Sequence, residues 1–200
     1  MKIVKVRPSI NGTNSYILYN ESNMQGLVID PDDYFAVTET ANKQGVKLVA
    51  CLLTHGHFDH IGGVSRLQKD GVKVYISNAD KDMLSTDANY GYYFGVSVDK
   101  CTADFTFNDG DILDIAGIKI KVMVLSGHTL GSACFVVENA MFTGDTIFYL
   151  SIGRVDIGGD EMLMQQSLDR LKNMEGDFVL YSGHGRATTL EYEKKYNPYL

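Results

Sequence analysis

One short segment gathers four potential metal ligands and limits what this 200-residue chain can fold into. It reads Thr54-His55-Gly56-His57-Phe58-Asp59-His60-Ile61-Gly62-Gly63 and follows an apolar run, residues 47–53, that is typical of a strand buried on both faces. Imidazole and carboxylate groups together form a ligand set for zinc, iron or manganese. His55 and His57 are spaced to bind one ion, and Asp59 and His60, further along the loop, can reach a second.

Three later positions repeat this arrangement. His128 follows a strand ending at Leu125, Asp145 follows one ending near Phe142, and His184 follows one ending at Tyr181. A lone histidine at a strand end is more often a structural hydrogen-bonding group, and a lone Gly-Asp-Thr is usually a turn. Here, however, all five histidines of the chain belong to these motifs, and each later ligand has a small residue beside it. The sequence therefore predicts that one rim of the fold gathers all seven side chains around metal.

The order of predicted elements indicates the fold class. Antiparallel strands open the chain, a helix is predicted over residues 32–42, and the second half repeats strands followed by a helix, with hairpins at Ala116-Gly117 and Glu138-Asn139. Asp160 is predicted to cap a helix to Met174, and a capping box at Thr188 predicts a terminal helix. This order, in which strands are followed by a helix in each half of the chain, predicts an α+β domain over residues 1–200, with two sheets face to face and helices outside.

Composition excludes several classes of partner. The formal net charge of −7 argues against a nucleic-acid surface, and no apolar run approaches the ~20 residues that span a membrane. The first residues carry charges and lack the apolar region of a signal peptide, so a cytoplasmic location is expected. The three cysteines are widely spaced and odd in number, which argues against a disulfide framework. A small-molecule substrate is predicted, and the oligomeric state stays open.

From Asn14-Ser15-Tyr16 to the C-terminal helix, the sequence resembles the metallo-β-lactamase superfamily through its His-x-His-x-Asp-His motif and the later His, Asp and His in the same order. The resemblance implies a four-layer αββα sandwich that binds two Zn²⁺ ions per chain, with iron or manganese as alternatives. It implies that the first ion is held by His55, His57 and His128. It further implies that the second is held by Asp59, His60 and His184, and that Asp145 bridges the two.

Within the superfamily, the chain is similar to short hydroxyacylglutathione hydrolases, the glyoxalase II-like group. The similarity lies in residues 142–148 and 151–156 and in the ending Asn197-Pro198-Tyr199-Leu200. It implies hydrolysis of thioesters by a hydroxide shared between two metal ions, with Asp59 both binding metal and orienting the nucleophile. A histidine at position 57, where flavodiiron proteins usually place glutamate, favours hydrolysis over redox chemistry. Since the sequence stops one helix after His184, a helical glutathione-binding lobe is not expected.

Supporting roles are predicted for four further residues. Thr54, Ser126 and Thr129 lie next to predicted ligands and are expected to orient them through hydrogen bonds. Arg154, nine residues after Asp145, is expected either to contact an anionic part of the substrate or to form a salt bridge with Asp156 or Asp160. The aromatic cluster within residues 90–94 is expected to be either a packed loop or a lid near the site.

Three other functions remain open at this level. The first is hydrolysis of lactones or β-lactams by the same metal site. The second is a mononuclear iron persulfide dioxygenase, which in this superfamily uses the positions matching His55, His128 and Asp145. The third is a non-catalytic metal-binding protein, although the intact set of ligands argues against it.

Overall fold

Fourteen strands form two six-stranded sheets and one two-stranded ribbon in the computed structural model, which describes residues 1–200. The first sheet contains, in spatial order, β1 (Lys2–Lys5), β2 (Tyr16–Asn20), β3 (Gln25–Ile29), β4 (Lys47–Leu52), β5 (Lys73–Ser77) and β6 (Phe105–Phe107). The second contains β7 (Ile112–Ile115), β8 (Ile118–Val124), β9 (Ala133–Val137), β10 (Ala140–Gly144), β13 (Val179–Ser182) and β14 (Thr188–Thr189). The ribbon pairs β11 (Ile147–Phe148) with β12 (Ser151–Ile152).

Five α-helices and three short 3₁₀ turns complete the fold. The helices are α1 (Tyr34–Gln44), α2 (Phe58–Ile61), α3 (Val64–Lys69), α4 (Glu161–Lys172) and α5 (Leu190–Tyr196). The 3₁₀ turns are Lys81–Leu84, Asp87–Asn89 and Gly91–Phe94, and the last of them carries most of the aromatic cluster. None of the helices has the length and apolar character needed to cross a membrane.

Side-chain caps set where the longer helices begin. The Asp33 carboxylate accepts a hydrogen bond from the Ala36 backbone N–H and starts α1, and Asp160 caps α4 as predicted, through the backbone N–H of Leu163. The predicted cap of α5 is wrong by one residue. Thr189 is the N-cap, because the Thr188 hydroxyl donates to Glu193 whereas the Thr189 hydroxyl accepts from the Tyr192 N–H; both threonines pair with β13.

Packing between the layers confirms the predicted αββα sandwich. Alternate side chains of both sheets interdigitate in a central core that includes Leu18, Leu52, Val122, Phe135 and Phe142. The opposite face of the first sheet packs against α1, and that of the second sheet packs against α4 and α5; the buried residues there include Val28 with Val37 and Met141 with Leu171 and Leu190. Each sheet is therefore covered on both faces, which explains the continuous apolar sequence of β4.

Parallel pairing brings strand ends together at one edge of the sandwich. In the first sheet β3, β4 and β5 are parallel, and in the second sheet β10 and β13 are parallel. Within each sheet, residues that follow the carboxyl ends of these strands therefore lie at the same edge. The predicted metal ligands all lie in such positions or in the loops beside them.

Candidate metal centre

Seven side chains predicted as metal ligands converge at this edge. In chain order, they are His55 and His57 after β4, Asp59 and His60 on α2, His128 after β8, Asp145 after β10 and His184 after β13. His55, His57, His60, His128 and Asp145 are buried, whereas Asp59 and His184 are partly exposed. Neither sheet supplies the cluster alone, so it depends on the sandwich being assembled.

Three histidines form the first group. His57 Nδ1 lies 2.8 Å from His128 Nε2, and His128 Nε2 lies 3.2 Å from His55 Nε2. Nitrogen ligands about 2.0–2.1 Å from a tetrahedral zinc ion lie roughly 3.3–3.4 Å from one another. The three nitrogens therefore face one point at a spacing that suits a single ion.

Asp59, His60 and His184 form the second group, and Asp145 lies between the groups. Asp59 Oδ2 is 3.3 Å from His184 Nε2 and 3.7 Å from His60 Nε2. Asp145 Oδ1 is 3.4 Å from His60 Nε2, while its Oδ2 is 3.6 Å from His128 Nε2 and 3.5 Å from His184 Nε2. One carboxylate therefore contacts both groups, which is the geometry expected of a bridging ligand.

Unsatisfied polar atoms at the centre supply an independent test of whether metal fits. His57 Nε2, His60 Nε2 and Asp145 Oδ1 are buried and have no hydrogen-bond partner. Leaving a buried polar atom unpaired costs about 1–3 kcal/mol, so native structures rarely collect several in one place. Two of these atoms, His60 Nε2 and Asp145 Oδ1, face each other at 3.4 Å within the cluster, and two unpaired potential ligand atoms at one point are consistent with metal coordination.

The protonation of the two groups differs. Burial lowers the pKa of His55 well below its usual range and lowers that of His57 to about 3, and in both cases the neighbouring imidazoles add to the effect. Burial also lowers the pKa of His128. Neutral imidazoles keep a lone pair available for a cation, so the first group is ready to bind metal at neutral pH.

Carboxylates determine the charge of the second group. Burial alone would lower the pKa of His60, but the charges of Asp145 and Asp30 outweigh it and raise the pKa to about 10. Burial would raise the pKa of Asp59, yet the hydrogen bond from His184 and the charge of His60 hold it below its usual range. In the absence of metal, the positive charge in this group is therefore balanced by carboxylates, which also suit a divalent cation.

Asp30, which the sequence did not single out, holds two of the predicted residues. Its carboxylate accepts from the Thr54 backbone N–H at 2.8 Å and hydroxyl at 2.7 Å, and its Oδ2 lies 3.0 Å from His60 Nδ1. This contact leaves His60 Nε2 facing the cluster. A carboxylate bound to one ring nitrogen of a metal-binding histidine commonly orients the ring in this way. The Thr54 hydroxyl also lies 3.0 Å from His55 Nδ1, so the contacts of Thr54 agree with its expected role of orienting the predicted ligands. Asp30 directly follows β3, and that position was its only signal in the sequence.

A second unpredicted carboxylate, Asp80, joins the two loops that carry the first group. Its oxygens accept from the Thr129 hydroxyl at 2.7 Å, the Gly131 N–H at 2.8 Å and the Gly56 N–H at 3.3 Å. Gly56 lies between His55 and His57, and Thr129 follows His128, so Thr129 acts through Asp80. Burial raises the pKa of Asp80 in spite of these bonds. Within the sequence Asp80 resembles an ordinary turn residue.

Ser126 does not contact the His128 ring. Its hydroxyl donates to the Leu130 carbonyl at 2.6 Å, and its own carbonyl accepts from Ser167 on α4. The orientation of His128 comes instead from its Nδ1, which lies 2.6 Å from the Arg154 backbone carbonyl. Ser126 therefore shapes the loop that carries His128 rather than the ligand itself.

Replacing Asp80 by alanine should destabilise the protein and loosen the first group. The change leaves two buried N–H groups without an acceptor, and we expect a loss of about 2–5 kcal/mol in the free energy of unfolding. Metal affinity should fall about 10–100-fold, as for other outer partners of metal ligands. Urea unfolding of chelator-treated protein and metal titration measure the two effects separately. Asp82→Ala, an exposed neighbour, is the control, and equal behaviour of the two variants would contradict a role for Asp80 in holding the loops.

Arg154 lies at the rim of the cavity above the cluster. The cavity has a volume of about 370 Å³, and its lining includes five of the seven predicted ligands together with Arg154. The guanidinium forms a bidentate contact with Asp156, at 2.6 and 2.5 Å, and both side chains are exposed. The salt bridge considered at the sequence level is therefore present. Exposed pairs of this kind contribute only about 0–1 kcal/mol, so a stronger anionic partner could displace Asp156.

Comparisons with known proteins agree with this geometry. The sequence profile of the metallo-β-lactamase superfamily matches residues 11–184. Hydroxyacylglutathione hydrolase GloC of Haemophilus influenzae is 33% identical over 93% of this chain and 91% of that protein. The crystal structure of the BLEG-1 B3 metallo-β-lactamase superposes with a TM-score of 0.93 at 30% identity, covering 100% and 99% of the two chains. TTHA1623, crystallised in a di-iron-bound form, gives a TM-score of 0.86 at 28% identity and covers 100% of both chains.

Proposed function

Because this chain belongs to the metallo-β-lactamase superfamily, we propose that it is a metal-dependent hydrolase whose substrates are thioesters. The observation that carries the proposal is the convergence of five histidines and two aspartates in one cluster, five members of which line an open cavity. The similarity to the hydroxyacylglutathione hydrolase of Haemophilus influenzae supports a thioester as the substrate class. The small cavity and the acidic net charge favour a small molecule over a nucleic acid.

We propose that two metal ions bind per chain. His55, His57 and His128 would hold one, Asp59, His60 and His184 the other, and Asp145 would contact both. Zinc suits this set of nitrogen and oxygen ligands, and iron or manganese would be accepted as well, as the di-iron form of TTHA1623 illustrates. When bound, such ions polarise a substrate carbonyl and lower the pKa of coordinated water to about 7.

The protein's own groups would position the reactants. The Asp59 carboxylate is partly exposed to the cavity and ionised, so it can accept a hydrogen bond from an attacking water and orient its lone pair towards the carbonyl. Asp30 fixes the His60 ring, and the Arg154 carbonyl fixes the His128 ring. Because these contacts are already formed, the site would not need to reorganise during the reaction.

The positions of the cysteines support water as the nucleophile. Cys51 and Cys134 are buried in the cores on the outer faces of the sheets, and burial raises the pKa of both thiols. Cys101 packs against another apolar cluster, and burial raises its pKa to about 11. None of the three lines the cavity, so no thiolate is available there to form an acyl-enzyme.

Hydrolysis of β-lactams is the second candidate, because BLEG-1, a B3 metallo-β-lactamase, superposes over the whole of this chain. Both reactions require the attack of water on an acyl carbonyl. They differ in the leaving group, a thiolate in one and an amide nitrogen in the other. The candidates are therefore separated by substrate and not by the ligand set.

One set of measurements tests the proposal. Protein purified with zinc or iron in excess should contain close to two ions per chain and should hydrolyse a hydroxyacyl-glutathione thioester with release of free thiol. A β-lactam should be cleaved more slowly, and oxygen uptake with a persulfide should be absent. A stoichiometry that stays at one ion, combined with oxygen uptake, would replace this proposal by the mononuclear iron oxygenase.

A further inference from the structure

The cavity above the metal ligands has an apolar side whose composition the proposed chemistry does not require. Five apolar side chains line the cavity beside the polar cluster: Phe58, Phe94, Phe148, Ile152 and Ile157. Arg154 is the one cationic side chain among the lining residues other than the histidines, and it is paired with Asp156. The cavity therefore has a polar side, which carries the predicted ligands, and an apolar side without charge.

Two aromatic rings form one wall of this cavity. Phe58 precedes Asp59 in the metal-binding motif, and its ring stacks on that of Phe94 with centroids 5.1 Å apart and planes 26° apart. Phe94 keeps 49% of its surface exposed although the fold has ample apolar cores. Phe58 is half-buried, and the pair at the mouth of the cavity presents apolar area that a ligand can bury. We call Phe58 and Phe94 the aromatic wall.

The aromatic wall is held by specific contacts. The Asn89 side chain accepts from the Gly91 N–H at 2.9 Å and donates to the Met83 and Thr86 carbonyls at 3.3 and 3.0 Å. Gly91 is buried, and a Cβ there would lie 3.2 Å from the Phe58 Cβ, so the turn carrying Phe94 is pressed against Phe58. These contacts hold the Gly91–Phe94 turn beside the site, which favours a fixed wall over a mobile loop.

Tyr90 connects this turn to the metal ligands. Its backbone has a positive φ of 63°, a conformation that residues other than glycine adopt at an energetic cost. Its ring packs edge-on against the His57 ring, with centroids 5.6 Å apart. Tyr92 and Tyr93, in contrast, are 79% and 75% exposed and do not line the cavity. The aromatic cluster thus divides into a part that faces the site and a part that faces solvent.

We propose that the aromatic wall of Phe58 and Phe94 is an acyl-chain subsite, so that the enzyme selects thioesters of small apolar acyl groups. The inference rests on the proposed thioester hydrolysis and adds the chemical class of the acyl group. A cavity of about 370 Å³ lies at the lower end of the range for small-molecule sites, which limits the chain that fits. Arg154 at the rim is available to an anionic thiol portion, while the wall offers an acyl chain no charge and no hydrogen-bond partner.

The test is a series of straight-chain acyl thioesters of one thiol, from acetyl to octanoyl. Each methylene that enters the subsite should raise kcat/KM about fourfold, corresponding to the burial of one methylene group, until the cavity is full. Phe94→Ala should flatten the series, so that its loss of kcat/KM grows with chain length. Tyr92→Ala, in the same turn but outside the cavity lining, should keep the wild-type dependence.

Binding measurements make the inference independent of turnover. Non-cleavable thioether analogues of the same series should show the same dependence of Kd on chain length by calorimetry, and Phe94→Ala should remove it. Hydrolysis with no dependence on chain length in the wild type would overturn the subsite and leave the proposed function intact. Failure to cleave any thioester would contradict the proposed function, whereas the Kd series would still decide whether the wall binds acyl chains. Thermal unfolding of both variants shows whether Phe94→Ala has folded.

Discussion

Replacing Asp145 by asparagine should lower kcat/KM for hydrolysis by well over 100-fold and reduce the bound metal below two ions per chain. Asp145 Oδ1 is 3.4 Å from His60, and its Oδ2 is 3.6 Å from His128 and 3.5 Å from His184, so one carboxylate serves both groups. Asparagine keeps the shape but removes the charge and turns one oxygen into an N–H donor. Loss of an outer partner already costs about 10–100-fold, and a residue in direct contact with metal should cost more.

The matched control is Asp114→Asn, which removes an exposed carboxylate from β7, away from the cluster. Its metal content by mass spectrometry and its kcat/KM should equal those of the wild type. Circular dichroism and thermal unfolding should show that both variants are folded. Normal turnover by Asp145→Asn with two ions retained would remove Asp145 from the proposed bridging position.

The sequence was sufficient to find all seven clustered residues because the chemistry restricts them strongly. Four of them lie within six residues, and each of the others lies in the loop that follows an apolar strand. Parallel pairing of β3 with β4 and of β10 with β13 then brings those strand ends together. The αββα arrangement followed from the same alternation of strands and helices, because each sheet must cover two apolar faces.

The outer carboxylates could not be identified in the same way. Asp30 and Asp80 lie 24 and 26 residues from Thr54, and their roles depend on contacts that exist only after the first sheet has formed. Asp80 in particular reaches Thr129, 49 residues away, across the two halves of the sandwich. Short pieces such as β6, β11 and β12 were missed for a related reason. Two or three residues carry no periodicity, and only pairing with a neighbouring strand defines them.

The error at the α5 cap has the same origin. Thr188 and Thr189 are chemically identical, and the local rule for a capping box selects the first, since a glutamate follows three residues later. Both threonines pair with β13, but the Thr188 hydroxyl donates to Glu193, whose carboxylate also accepts from the distant Leu150 N–H. The Thr189 hydroxyl is left to accept from the Tyr192 N–H, so a contact outside the local rule overrode the capping-box pattern.

Substitution of Gly183 should also have a large effect, because Gly183 packs against two of the proposed metal ligands without supplying one itself. A Cβ at this position would overlap the Asp145 carboxylate and lie 2.8 Å from His60 Cε1. The backbone cannot retreat, since the Gly183 N–H donates to the Gly144 carbonyl at 2.8 Å and its carbonyl accepts from the Asn14 N–H at 2.7 Å. Alanine at 183 must therefore displace the side chains of Asp145 and His60.

Gly183→Ala should lower metal affinity and kcat/KM about 100-fold, because overpacking of a fixed site costs roughly 1–3 kcal/mol and here falls on two of the proposed ligands. Metal titration against a competing chelator measures the affinity directly. Gly185→Ala is the matched control in the same loop. Its φ of +76° makes alanine unfavourable by about 1 kcal/mol, but no atom lies within 4 Å of the added Cβ, so stability should fall slightly while the metal stays bound. If Gly183→Ala binds metal as tightly as Gly185→Ala, then Asp145 and His60 are not held at the positions on which the proposed second metal ion depends.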